Sequence, residues 1–378
     1  MQVTLASEIS TEANAPLHLG IVGCSLARPR YGAAIALSER IRVTALIDPD
    51  TRFARAWSRT LGGDIELLPN LQSLLAGDTI PRALIIDVPL SERASTILTA
   101  IPVCRGLLCA PPFAPTLEET DRILHSAAAN NTWLVAAFPR RFDPVLAHAI
   151  EIAHSGEVGL IQQVRCDWSF PLSRVYGLEI GADTDAGTWD PLLQYAGCHA
   201  ADVCRWCYGD VLTVSADIDS HEVTAVPRGR RDTSPLLANF VLSHENGPAT
   251  CHFARSRAVL PSERYTFTGS KGNLEAVVSS STVPPDAFPA LTRHRPGCRP
   301  QIMPPPEFAG SELPAQAHRM RAMLSEFADL IQSGTVPRDS GAAARAALEI
   351  VHAAYLSARD GRKITLPLRR SPAFPNES

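Results

Sequence analysis

Few residues in this chain have the type and spacing for redox or acid–base chemistry, and they fall in short stretches. The first stretch is Gly20-Ile21-Val22-Gly23-Cys24-Ser25-Leu26-Ala27-Arg28. It closes an apolar run, Leu17 to Val22, and precedes residues 31–39, whose apolar positions recur at helical spacing. A glycine turn between strand and helix lets backbone N–H groups approach a pyrophosphate, which the helix N-terminus attracts. Gly23 fills the first fingerprint glycine position, Ser25 the second and Arg28 the third. A serine hydroxyl can hydrogen-bond a phosphate. An arginine at the packing position must swing outward, where it could meet a phosphate, or it blocks the site. Asp48 ends a second apolar run, Val43 to Ile47, about twenty residues after the turn. An acid there hydrogen-bonds a ribose 2′-hydroxyl and favours NAD, while Arg52 keeps NADP open. The competing role for Asp48 is a helix cap before Pro49. Lysine occurs only at Lys271 and Lys363, so almost none is available for catalysis. Cys204-Arg205-Trp206-Cys207 follows Cys198 and His199, but zinc needs four converging ligands. These residues share one expected helix with no second knuckle, so no metal is expected.

The elements around these residues divide in two. Uniformly apolar strands at Ala83–Val88, Gly106–Cys109 and Trp133–Phe138 alternate with helices at 51–61, 92–100 and Thr116–Asn130. That pattern indicates a parallel sheet covered on both faces. Thr116 with Glu119 forms a capping box. Beyond residue 140 the period changes. A helix at Asp143–His154 leads to an alternating strand at Ile161–Phe170 and a helix at 191–208. Alternating strands follow at 211–219, 236–244, 249–256, 264–269 and 273–279. Residues 281–312 are Pro-rich and read as irregular, 315–333 and 340–359 as helices, and Lys363–Leu366 as a short strand. The expected fold is therefore α/β plus α+β. It has a tail over 1–15, a Rossmann domain over 16–140, and an open, mainly antiparallel sheet domain over 141–378. The last helices of that domain are expected to return to the first. A length of 378 residues suits two domains, and 45% apolar with 20% charged residues is a globular composition. The net charge of −4 offers no general field for nucleic acid. Apolar runs of about eight residues fall short of the ~20 that a membrane span needs. Glu8 and Glu12 with no basic start argue against a signal peptide. Nine cysteines without a disulfide framework point to the reducing cytosol.

By these motifs the chain resembles the glucose–fructose oxidoreductase, inositol dehydrogenase and MocA (Gfo/Idh/MocA) family, from about residue 17 to 367. Asp48-Pro49-Asp50 resembles the family's end of strand two. Leu107-Leu108-Cys109-Ala110-Pro111-Pro112-Phe113-Ala114 with Thr116-Leu117-Glu118-Glu119 resembles its C-E-K-P-L-A-x-T-x-x-E segment. Arg140-Arg141-Phe142-Asp143-Pro144 is similar to R-F-x-P, and Ser155-Gly156-Glu157-Val158-Gly159 to S-G-x-I-G. Gly197-Cys198-His199-Ala200-Ala201-Asp202 resembles G-x-H-x-x-D, and Gly269-Ser270-Lys271-Gly272 the G-[ST]-x-G turn.

The resemblance implies a dinucleotide site around Gly23, Cys24, Ser25, Leu26, Arg28, Asp48, Pro89, Cys109 and Pro111. It also implies that the family's Lys is Pro111 here, its Asp is Tyr195, and only its His is kept, as His199. A His takes or gives the proton while hydride moves to or from the cofactor. Tyr195 and His199 are four apart on one helix and share a face, where they move a proton as a pair or are both packing residues. Asp190, nine residues before His199, is the candidate for the displaced carboxylate, and Trp189 beside it the candidate for a pocket wall. Arg93 stands where the family often has His, and Arg140 and Arg141 border the same cleft by analogy. Arg93 or Arg141 would hold an anionic group of the substrate, or be a solvated arginine. Two functions are in view. One is an NAD(P)-dependent oxidoreductase with a remodelled site, acting on a small sugar-like, polyol or imine substrate. The other is a family member without cofactor or hydride transfer, doing new chemistry or partnering an active homologue. The family implies a homo-oligomer, a dimer or tetramer.

Overall fold

The computed structural model describes residues 15–77, 79–171, 191–219, 237–256, 262–278, 290–303, 315–333 and 340–371. It divides into two compact units, residues 1–139 with 317–345 and residues 140–316 with 346–378.

The first unit is a parallel sheet of β1 (Leu17–Val22), β2 (Ile41–Ile47), β3 (Glu66–Leu68), β4 (Ala83–Ile86), β5 (Gly106–Cys109) and β6 (Trp133–Ala136). The spatial order is β3-β2-β1-β4-β5-β6, so the order reverses between β1 and β4. Every residue of β4 and β5 is buried, as a strand covered on both faces requires. Helices α1 (Cys24–Ala36), α2 (Thr51–Leu61), α3 (Leu71–Leu75), α4 (Leu90–Ala100) and α5 (Leu117–Ala129) make the crossovers. Thr116 caps α5 by accepting from the Glu119 N–H at 3.2 Å while its hydroxyl donates to the Glu119 carboxylate at 2.9 Å.

The second unit opens with α6 (Pro144–Ser155), capped by Asp143, whose Oδ1 accepts from the N–H groups of Val145 and Leu146. Gly156, at φ 80°, ends that helix in the left-handed region. Then come β7 (Ile161–Pro171), α7 (Pro191–Tyr208), β8 (Val211–Asp219), β9 (Leu237–His244), β10 (Gly247–Ser256), β11 (Ser262–Gly269) and β12 (Gly272–Val278). The Pro-rich stretch expected to be irregular carries two further strands, β13 (Ala290–His294) and β14 (Gln301–Met303). β13 is held by pairing to β12 and β14 by pairing to β13, with Leu291 fully buried. α8 (Ala315–Ser333) and α9 (Ser340–Asp360) precede β15 (Ile364–Thr365). The sheet order is β14-β13-β12-β11-β7-β10-β9-β8-β15, and β7 with β10 is its parallel pair among otherwise antiparallel neighbours. α6 packs on β11 to β13, and α7 on β7 and β10. α8 belongs to the first unit from residue 317, and there Ile331 lies against Gly106 so closely that a Cβ at Gly106 would sit 2.0 Å from its Cδ1. Among the described residues no helix is long and apolar enough to cross a membrane.

Candidate active site

In the first unit the site is built on the turn after β1. Gly23 has φ 89°, and a Cβ there would lie 2.1 Å from the Asp87 carbonyl oxygen. The turn therefore requires glycine on both conformational and steric grounds. It places the N-terminus of α1 at the carboxyl ends of β1 and β4, where open α/β sheets bind their ligands. Asp48 ends β2 and is only 3% exposed. Its Oδ2 accepts from the Ser25 N–H at 3.0 Å and its Oδ1 from the Asp50 N–H at 2.9 Å. The carboxylate thus ties β2 to the start of α1 and keeps a further lone pair on each oxygen. The cap of α2 is Asp50, which accepts from the Arg52 N–H and pairs with the exposed Arg52 guanidinium at 2.6 Å.

Of the two alternatives for Arg28, the structure shows the outward one. The helix–strand packing position is taken by Ala27, which is fully buried, and Arg28 points outward and is exposed. The turn shifts the buried face by one residue from the fingerprint count, so arginine there obstructs nothing inside. Cys24 is buried, its thiol donates to the Ile47 carbonyl at 3.6 Å, and burial pushes its pKa up to about 12. It stays a neutral packing thiol. Leu26 is half-buried and Pro89 exposed at the start of α4. Cys109 is buried, which raises its pKa, and the Pro111–Pro112 peptide is cis.

Arg93 does not stand as a solvated side chain. It is 7% exposed, and Nε and Nη2 donate to the Val88 carbonyl at 3.3 and 2.8 Å. Nη1 donates to the carbonyls of Ala110 at 3.2 Å and Pro112 at 2.7 Å. The guanidinium therefore ties the end of β4 to the turn after β5, on either side of Pro111. A second arginine, which sequence reasoning missed, completes this edge. Arg30 on α1 holds the fully buried Asp87 through Nη1, at 2.8 and 3.0 Å to its two oxygens. The only sequence signal was an acid right after an all-apolar strand.

In the second unit the site centres on α7. His199 is 1% exposed, and its ring meets that of Tyr195 edge to face, with centroids 4.4 Å apart. Arg140 Nη1 donates to the Tyr195 hydroxyl at 3.3 Å. Arg140 also pairs with Glu263 on β11, at 3.2 Å through Nε and 2.5 Å through Nη2, with both side chains almost wholly buried. Its guanidinium lies over Trp168, 4.7 Å from the ring centroid. Arg141 forms a bidentate pair with Asp202, at 2.9 and 2.7 Å. Both arginines thus brace α7, and neither is a solvated face. Glu263, on a strand remote in sequence, is the partner that the sequence did not point to. Asp190 and Trp189 lie outside the described residues.

Residues 17–138 match the oxidoreductase family with an NAD-binding Rossmann fold, and residues 146–275 match the GFO/IDH/MocA C-terminal domain. The chain belongs to the GFO/IDH/MocA family. This GFO/IDH/MocA member is 21% identical over 355 residues to a D-apiose dehydrogenase of Paraburkholderia graminis, covering 92% of this chain and 88% of that one. It is 25% identical over 297 residues to D-xylose 1-dehydrogenase (NADP(+)) 2 of Haloferax volcanii, covering 78% and 83%. In fold it is similar to the aldose–aldose oxidoreductase of Caulobacter crescentus in complex with glycerol. That likeness has a TM-score of 0.75 at 19% identity and covers 93% and 100% of the two chains. NAD or NADP is the cofactor of the GFO/IDH/MocA Rossmann unit. The residues present fit it: the Gly23 turn leaves no room for a side chain, and the Asp48 oxygens retain lone pairs for ribose hydroxyls.

Proposed function

We propose that the chain is an NAD(P)-dependent dehydrogenase of a small sugar or polyol, working with a remodelled acid–base group. The observation that carries this reading is the Tyr195–His199 contact, backed by the Arg140–Glu263 pair. The nicotinamide cofactor supplies the hydride acceptor or donor. His199 takes the proton from the substrate hydroxyl on oxidation and returns it on reduction, a task suited to an imidazole near neutral pH. Tyr195 orients the substrate oxygen through its hydroxyl, and Arg140 fixes that hydroxyl in place. Asp48 binds the ribose diol, and the α1 N-terminus, with Ser25 and Leu26, meets the pyrophosphate. Arg93 holds the loop that carries Pro111, where related enzymes carry lysine. Asp190 and Trp189 complete the substrate side in this reading. The substrate class is supported by the two sugar dehydrogenases to which the chain is similar.

A panel of pentoses, hexoses and polyols with NAD and NADP, read by nicotinamide absorbance, tests the proposal. Turnover of at least one sugar or polyol that falls in a His199→Asn variant is expected. Absence of cofactor binding at millimolar concentration, seen by quenching of tryptophan fluorescence, would overturn it.

A further inference from the structure

The second unit holds a group of thiols that the dehydrogenase chemistry does not use. Cys166 on β7, Cys204 on α7 and Cys251 on β10 are each at most 1% exposed. Cys166 and Cys251 are direct neighbours on the parallel pair β7 and β10, and α7 lays Cys204 against both. The Cys204 sulfur lies 3.7 Å from that of Cys166 and 3.8 Å from that of Cys251, and all three lie within 4.8 Å of one another.

An ion bound at about 2.3 Å by thiolates sets its sulfurs roughly 3.8–4.0 Å apart, in tetrahedral or trigonal geometry. The Cys204–Cys251 edge, at 3.8 Å, meets that spacing, and the Cys166–Cys204 edge, at 3.7 Å, is only slightly shorter. The third, between the paired neighbours Cys166 and Cys251, is within 4.8 Å, a gap that rotation of the two short side chains closes without moving the strands. No carboxylate or imidazole completes a fourth ligand among the described residues. Zinc requires four ligands, whereas an all-sulfur set of three selects a soft cation. The C-x-x-C spacing plays no part, because Cys207 lies outside the triangle.

We propose that Cys166, Cys204 and Cys251 form a trigonal binding site for one Cu(I) ion. Three Cu–S bonds form, each ligating thiol passes its proton to solvent, and copper stays Cu(I), so no oxidant or reductant is consumed. Because the site is closed to solvent, loading requires local opening or happens during folding.

The test refolds the full chain anaerobically with Cu(I) supplied as its acetonitrile complex, then challenges it with bathocuproine disulfonate. One copper per chain is expected, with thiolate-to-copper charge-transfer absorption and a three-sulfur shell by X-ray absorption. Cys204→Ala and Cys251→Ala should each lower affinity by more than ~100-fold, beyond the loss of a mere supporting residue. Alanine is chosen because a serine hydroxyl would be buried without a partner. Cys298→Ser, at the exposed thiol, should change nothing. Failure of the wild-type chain to retain copper overturns the proposal, as does a copper shell containing nitrogen or oxygen. Copper lost in Cys298→Ser but kept in Cys204→Ala overturns it too. None of these readouts depends on the dehydrogenase reading.

Discussion

His199 and Tyr195 lie one turn apart on α7, so each role can be removed without moving the other's backbone. General acid–base catalysis is worth roughly 10²–10⁴-fold. His199→Asn should therefore lower kcat by about that factor while preserving most of the side-chain volume. Because His199 is almost fully buried, His199→Ala would also leave a void and lower the Tm, so it is the poorer test. Tyr195→Phe removes only the hydroxyl that Arg140 holds, and should cost kcat less than His199→Asn does. Equal losses in the two variants would make the tyrosine the proton carrier. Asp48→Ala removes a charged acceptor and should weaken NAD binding by about 1.5–3 kcal/mol, measured by titration. The same variant frees the Ser25 N–H, so an unchanged affinity would mean that the carboxylate serves only the turn.

At the scale of elements, Arg93 joins β4 to the turn after β5 through four donor contacts to three buried carbonyls. Arg93→Met should destabilise the first unit by roughly 2–3 kcal/mol, read by urea unfolding, because those carbonyls lose charged donors. Arg93→Lys should restore little of it, since a single ammonium cannot span that fork. His244 ends β9 beside Gly209, whose carbonyl lies 3.0 Å from its Nδ1, and burial lowers its pKa below 6.5. Below that pH the unfolded chain takes up a proton that the folded chain refuses. Stability should thus be full above pH 6.5 and fall as pH drops toward the folded pKa, and His244→Asn should flatten that slope in a Tm–pH series.

The long elements were legible in the sequence because each carries one clear period. Helices at 191–208 and 315–333 and the strands Leu17–Val22 and Gly106–Cys109 have the bounds that periodicity gives. By contrast, β2 starts two residues before its apolar run, β4 and β6 end two residues short of theirs, and α1 spans 24–36 rather than 31–39. The short β3 and α3, and the strands β13 and β14, were not legible. Their three to five residues are fixed by pairing or packing with remote partners and not by local pattern. The same limit applies at the site. The turn at Gly23 and the Tyr195–His199 spacing could be read locally. The partners of Arg140, Arg30 and Arg93 could not, because each bond joins segments that only the folded topology brings together.

At the scale of the whole molecule, the nine-stranded sheet of the second unit has two unlike faces. On β9 the inward residues Ala238, Phe240, Leu242 and His244 are buried, while the outward Leu237 and Val241 are 45% exposed. The outward side chains of β10, Thr250, His252 and Ala254, are only partly exposed, and His252 Nδ1 lies 2.6 Å from Asn239 Oδ1. Large apolar side chains set among paired polar ones give this face the mixed character of a protein–protein contact surface. We therefore expect self-association through this face, burying more than about 1,000 Å² in total. Val241→Arg places a charge on this face at β9, and a two-fold contact across that strand would bring two such charges close together. That variant should shift the chain from dimer or tetramer toward monomer in light scattering while leaving the Tm of its dilute form unchanged. A wild-type chain that runs as a monomer at tens of micromolar would show that the face is simply solvated.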